Sequence, residues 1–94
     1  MSDWNFFTNH GHILFLIATQ PAITVREASL KVGVTERSTL KIISDLVKGE
    51  YIQVIKKGRH NNYKIIGDKH LKHDLEKECQ VKDFVDIIKA KKNA

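Results

Sequence analysis

One cysteine, Cys79, and one proline, Pro21, are all that 94 residues contain of either type. A lone thiol cannot close an internal disulfide, so a reducing compartment is expected, the cytoplasm being the simplest. Long apolar runs are missing as well. The longest, Ile13 to Ala18, falls far below the about 20 residues that cross a bilayer, and the first residues lack the basic start and small-residue cleavage site of a signal peptide. Neither a membrane span nor secretion is therefore expected. There is no internal repeat and no low-complexity linker to divide the chain. Catalytic constellations are also wanting: no supported nucleophile–base pair, no glycine-rich phosphate loop and no paired carboxylates, so the chain does not read as an enzyme and no cofactor is called for. Acidic residues are in deficit, 11 against 16 Lys and Arg. The resulting net charge of +5 and pI near 9.4 favour a polyanionic partner.

What is present is 41% hydrophobic residues in a short chain, enough for one small domain, 1–94, near the lower limit of what folds alone. A second copy is one way to cover leftover apolar surface. The organising stretch runs from Thr24 to Ile52. Thr24 with Glu27 three residues later fits a capping box at a helix start, and Val25, Ala28 and Val32 fall on one helical face with Leu30 on its flank. This predicts a helix over 25–33, with Gly33 taking the positive φ that turns the chain. Val34 then fills the angle before a second helix over 35–48, for which Thr35 is the N-cap candidate and Glu36 complements the dipole.

On that second helix Thr39, Ile42, Ile43, Leu46 and Val47 follow the spacing of a buried face. Arg37, Ser38, Leu40, Lys41 and Ser44 are thereby turned outward or to the flanks. Arg37 can meet a guanine edge or a phosphate, Lys41 a phosphate, the two serines either, and Leu40 a thymine methyl. A merely solvated face with one stray leucine is the plainer alternative. Two β-rich segments follow within 51–66, around the glycine turn K-K-G-R-H-N. They predict a basic hairpin with Lys56, Lys57, Arg59 and His60 at or near its tip and Asn61 and Asn62 as hydrogen-bond donors beside them. A reading helix followed at once by a cationic hairpin is the layout of a winged helix-turn-helix that binds double-stranded DNA. The competing reading is an interaction module that uses the same surfaces to hold a protein.

Flanking this unit, residues 10–19 read as an apolar helix ended by Gln20-Pro21, and Ala22-Ile23 leave room for a very short strand. Trp4, Phe6 and Phe7 are a heavy aromatic load for a tail and are expected to pack on this domain or on a second subunit. A helical turn is expected within 73–78, then a terminal helix over 81–91 striped by Val81, Phe84, Val85, Ile87 and Ile88. That stripe is expected to pair with the N-terminal helix in the same chain, its mate, or both.

The run V-T-E-R-S-T-L-K-I-I-S-D-L-V-K-G-E-Y-I, the basic hairpin and Y-K-I-I together resemble the small winged helix-turn-helix transcriptional regulators of the MarR and ArsR kind. The opening from Trp4 to Leu14 and the closing H-x-L-E from His73 to Glu76 look like a short subgroup of them. The resemblance implies an α+β, mainly α, homodimer with N- and C-terminal dimerisation helices, and two recognition helices about one DNA turn apart. Arg37, Ser38, Leu40 and Lys41 would be its groove readers, and Lys57 and Arg59 its wing contacts. Trp4, Phe6, Phe7, Leu14, Phe84, Val85 and Ile88 are the expected dimer-interface residues. In one respect the chain departs from the pattern. Such regulators commonly carry glycine just before the aromatic-aliphatic pair that starts the wing, whereas here Gly49 precedes Glu50 and Tyr51, which leaves the wing register open.

His70, His73 and Cys79 invite a metal reading, but three donors without a CxxC fall short of the usual four ligands, and no metal site is assigned. Cys79 could also be a redox switch or a bridge between subunits, with Lys77 and Lys82 favouring the thiolate and Glu76 and Glu78 opposing it.

Overall fold

The first element of the chain, in a computed structural model that describes residues 4–92, is helix α1, Asn9–Thr19. The two ends of the 1–94 domain assignment lie outside the described residues. Ile13, Ile17 and Ala18 are buried, while Leu14 and Leu16 pack partly against the core. Gln20 ends α1 by leaving the helical region, at φ −137° and ψ 76°, ahead of Pro21, its N–H still donating to Leu16 O at 2.7 Å.

Helix α2, Val25–Val32, starts on the expected capping box. Thr24 Oγ1 accepts from the Glu27 N–H at 3.1 Å, and Glu27 Oε1 accepts from the Thr24 N–H at 3.2 Å. Gly33 closes the helix at φ 85°. The inward face is Ala28 and Ser29, with Val25 and Val32 half-buried. Leu30, expected on the flank, is 73% exposed. It lies about 100° per residue around from Ser29, which takes the inward position and satisfies its hydroxyl on Arg26 O at 2.7 Å.

Thr35 caps α3, Glu36–Lys48, accepting from the Ser38 N–H at 3.0 Å. Thr39, Ile42 and Leu46 are buried, and the Thr39 hydroxyl donates to Thr35 O at 3.0 Å, so no polar group is orphaned there. Ile43 is half-buried, but Val47, expected inward, is exposed. The floor provided by α1 and α2 covers only the narrower stripe of residues 39, 42 and 46.

Strands β1, Ile52–Lys57, and β2, His60–Ile65, form an antiparallel hairpin in which Ile52 faces Ile65, Val54 faces Tyr63 and Lys57 faces His60. Its two-residue turn has Gly58 at φ 64°, the sign demanded at the first central position of a turn that follows the strand twist. In place of a short strand at residues 22–23 there is one backbone bond, Tyr63 N–H to Pro21 O at 2.9 Å.

Residues 67–80 fold back on themselves through a His70–Gln80 bridge. Leu71 donates to Cys79 O at 3.0 Å and Val81 to Lys69 O at 2.9 Å. The expected helical turn is a pair of tight turns, His73 to Glu76 and Glu76 to Cys79. Helix α4, Val81–Lys92, then buries Val81 and Val85. Ile87, expected in its apolar stripe, faces out.

Two apolar clusters result. Ile13, Ile17, Ile23, Ala28, Ile42, Leu46, Ile52 and Tyr63 form the larger, and Ala18, Val81 and Val85 the smaller, with Leu14, Tyr51 and Ile65 touching both. Helix α4 therefore packs on α1 of its own chain. The architecture is a small α+β one, mainly helical, with four helices and a two-stranded hairpin among the described residues.

Candidate nucleic-acid interface

With Thr39, Ile42 and Leu46 fixed inward, the 100° step of the helix brings Arg37, Lys41, Ser44 and Lys48 to the opposite side of α3. Arg37, Lys41 and Lys48 are exposed and Ser44 is half-buried. Leu40 lies beside them at 55% exposure. Lys48 completes this stripe. The sequence reading left it out, although its spacing from Arg37, Lys41 and Ser44 was visible. Ser38 stands at the edge, its hydroxyl accepting from Thr35 Oγ1 at 3.0 Å as part of the cap.

Two further side chains enter that the sequence reading did not select. Asp45 Oδ1 accepts from Lys41 Nζ at 2.6 Å and its Oδ2 is 2.9 Å from His10 Nε2, at the start of α1. The His10 hydrogen bond first, and then that of Lys41, lower the Asp45 carboxyl from its usual range to about 2. Lys41 is thus not a free cation. Its pairing with Asp45 was legible as a four-residue spacing; nothing in the sequence signals His10, 35 positions away. Asn9, His10, Val34, Arg37, Ser38, Lys41 and Ile42 line a shallow groove where α1 meets α3.

Lys56, Lys57, Arg59, His60 and Asn61 are all exposed on the hairpin, with Asn62 half-buried. The register brings Lys57 beside His60 on one face and Lys56 beside Asn61 on the other, with Arg59 in the turn. The hairpin's base is held by Ile52 in the cluster that contains Ile42 and Leu46. Five residue steps carry its tip about 17 Å from that anchor. Among the described residues the ion pairs are His10–Asp45, Lys41–Asp45 and Lys69–Glu50. Arg37, Lys48, Lys56, Lys57 and Arg59 take part in none of them.

The expected dimer residues divide. Trp4 and Phe6 are 75% and 88% exposed. Phe6, Phe7 and Phe15 form an edge-to-face series with centroids 5.5 and 5.1 Å apart. Phe6, Phe7, Leu14, Phe15, Leu71 and Phe84 line an apolar groove along α1 and α4. Ile88 lines a second groove with Phe15 and Leu16. Val85 differs: it is buried against Ala18 and Val81 and offers no surface to a partner.

His70 Nδ1 hydrogen-bonds Lys77 O at 2.7 Å, and His73 Nδ1 accepts from the Leu75 N–H at 3.1 Å. Cys79 is half-buried and free. Among the described residues no group of three or more His, Cys, Asp or Glu side chains is placed to hold a metal ion, and no helix is long and apolar enough to cross a membrane.

Comparison with protein-family models, with curated proteins and with solved structures finds no match to the chain.

Proposed function

We propose that this chain is a winged helix-turn-helix transcriptional regulator of the cytoplasm that binds double-stranded DNA sequence-specifically as a homodimer. In this reading α3 enters the major groove and the β1–β2 hairpin meets backbone or minor groove. The observation that carries it is the pair of exposed cationic surfaces joined through one core. Arg37 and Lys48 flank Ser44 on α3, and Lys56, Lys57, Arg59 and His60 crown the hairpin. Arg37 suits a guanine edge, Ser44 either a base or a phosphate, and the hairpin cations suit phosphates. The dimer rests on the apolar α1–α4 surface, which carries Phe6, Phe7, Leu14 and Phe84.

Selection of bound duplexes from a random pool is the direct test. A recovered motif is expected, with binding that weakens steeply as salt rises. Arg37→Ala should cost about 1–3 kcal/mol at one position of that motif, whereas Lys57→Ala with Arg59→Ala should weaken all duplexes alike and flatten the salt slope by about 2. If none of these substitutions changes binding, the assignment fails. Exposed Leu40 and Val47, seven residues apart on α3, are the observation favouring a protein-binding module instead. No duplex binding at low salt, together with a stable complex with a purified protein partner lost in Leu40→Asp, would establish that alternative.

A further inference from the structure

The Asp45 carboxylate sits where helix physics disfavours it. It lies in the last turn of α3, at the negative end of the helix dipole. Its partner on the same helix, Lys41, precedes it by four residues, the less favourable order for such a pair. The pair is also solvent-facing, with the Lys41 side chain 72% exposed, so its gain in stability is small. A neutral residue would serve α3 at least as well. Asp45 nevertheless gathers two donors, Lys41 Nζ at 2.6 Å and His10 Nε2 at 2.9 Å, the latter from another helix. Lys48 and Lys72 line the same depression. One acid thus stands amid four basic side chains, of which Lys41 and Lys48 belong to the face assigned to DNA, while Arg37 lines the neighbouring groove with His10 and Lys41.

We infer that Asp45 is a positioning residue that sets selectivity: it holds Lys41 and His10 in one hydrogen-bonded cluster and withholds them from sequence-blind phosphate contact. This rests on the DNA-binding reading above. A lysine free to swing finds a phosphate on any duplex, since every sequence presents one. Tethered to Asp45, it forms half of an adjacent donor–acceptor pair. Such a pair matches base edges rather than backbone: the ammonium suits guanine O6 and N7, and the carboxylate suits the cytosine amino group. Duplexes that set an acceptor or a phosphate opposite Asp45 meet a carboxylate that repels it and are disfavoured.

The test compares the full-length wild type with Asp45→Asn, Lys41→Ala, the double variant and Asp45→Glu. Affinity is measured across a salt series for a mixed-sequence duplex and for the duplex recovered by selection. Asp45→Asn is expected to bind the mixed-sequence duplex on the order of tenfold more tightly at low salt, with the slope of log K against log salt steeper by about 1. Preference for the selected duplex should fall correspondingly. Asp45→Glu should keep the preference, and the double variant should lose the steepening because Lys41 supplies it. A purely structural role would lower the melting temperature and weaken both duplexes in proportion with the slope unmoved. That result, or unchanged slope and preference in a folded Asp45→Asn, overturns the inference while leaving the DNA-binding reading intact. Failure of wild type and Asp45→Asn alike to bind any duplex overturns both.

Discussion

Gly49 and Glu50 divide between them two tasks that one glycine would usually combine. The left-handed backbone falls on Glu50, at φ 64°, whereas Gly49 has φ −77°. Gly49 serves a different need. A Cβ there would stand 2.9 Å from the Tyr51 ring and 3.2 Å from Asp45 O, so its lack of a side chain lets the ring close over the end of α3. Helix α3 accordingly runs to Lys48, and the hairpin register is fixed by Ile66 N–H donating to Tyr51 O at 2.8 Å. Left-handed backbone costs a non-glycine residue about 1–2 kcal/mol, partly offset by glycine's greater loss of freedom on folding. Glu50→Gly should therefore raise stability by about 0.5–1 kcal/mol, and Gly49→Ala should lower it by about 1–3 kcal/mol through overpacking. Urea midpoints at constant m-value would check both. The out-of-step glycine was visible in the sequence; that it answers to a ring two residues on was not, because close approach is a property of the folded turn.

At the scale of elements, legibility followed the range of the forces involved. The Thr24–Glu27 box, the Thr35 cap, the Gly33 stop and the Gly58 turn are settled within four residues, and each stands where spacing put it. Faces were less secure. Hydrophobic spacing places Val47 and Ile87 on inward stripes and Leu30 on a flank, yet all three face out because neighbouring helices cover a narrower arc than the apolar residues span. Residues 67–80 were illegible for another reason: their shape depends on backbone bonds between non-adjacent residues of the segment, such as Leu71 to Cys79, which leave no periodic trace. The α2 cap also supplies a pH signature. Accepting from the Thr24 N–H and hydroxyl holds the Glu27 carboxyl below its ordinary value. A depressed carboxyl stabilises the fold above its unfolded pKa and loses that contribution as pH falls through the folded value. Thr24→Ala should cost about 1 kcal/mol at neutral pH, and the gap between variant and wild type should narrow below the usual Glu range. Thermal melts at both pH values would show it, and a constant gap would refute the coupling.

For the whole molecule, the sequence reading allowed the α4 stripe to pair within its chain or across a dimer. Intrachain burial of Val81 and Val85 on Ala18 accounts for its inner half; its outer half, Phe84 beside Phe7 and Leu14, remains on the surface. The proposed homodimer requires that remainder to bury roughly 800 Å² per copy. Phe6→Ser with Phe84→Ser should accordingly shift sedimentation from dimer to monomer at micromolar concentration while preserving helical circular dichroism. A wild type that sediments as a monomer would remove the dimeric part of the proposal. Helix α1 gives the molecule a further property. It supplies Ile13 and Ile17 to one apolar cluster and Ala18 to the other, while His10 in its first turn grips Asp45. Neither half of the protein has a foundation of its own: both stand on a single shared beam, so loosening that beam should bring down hairpin and tail together in one transition.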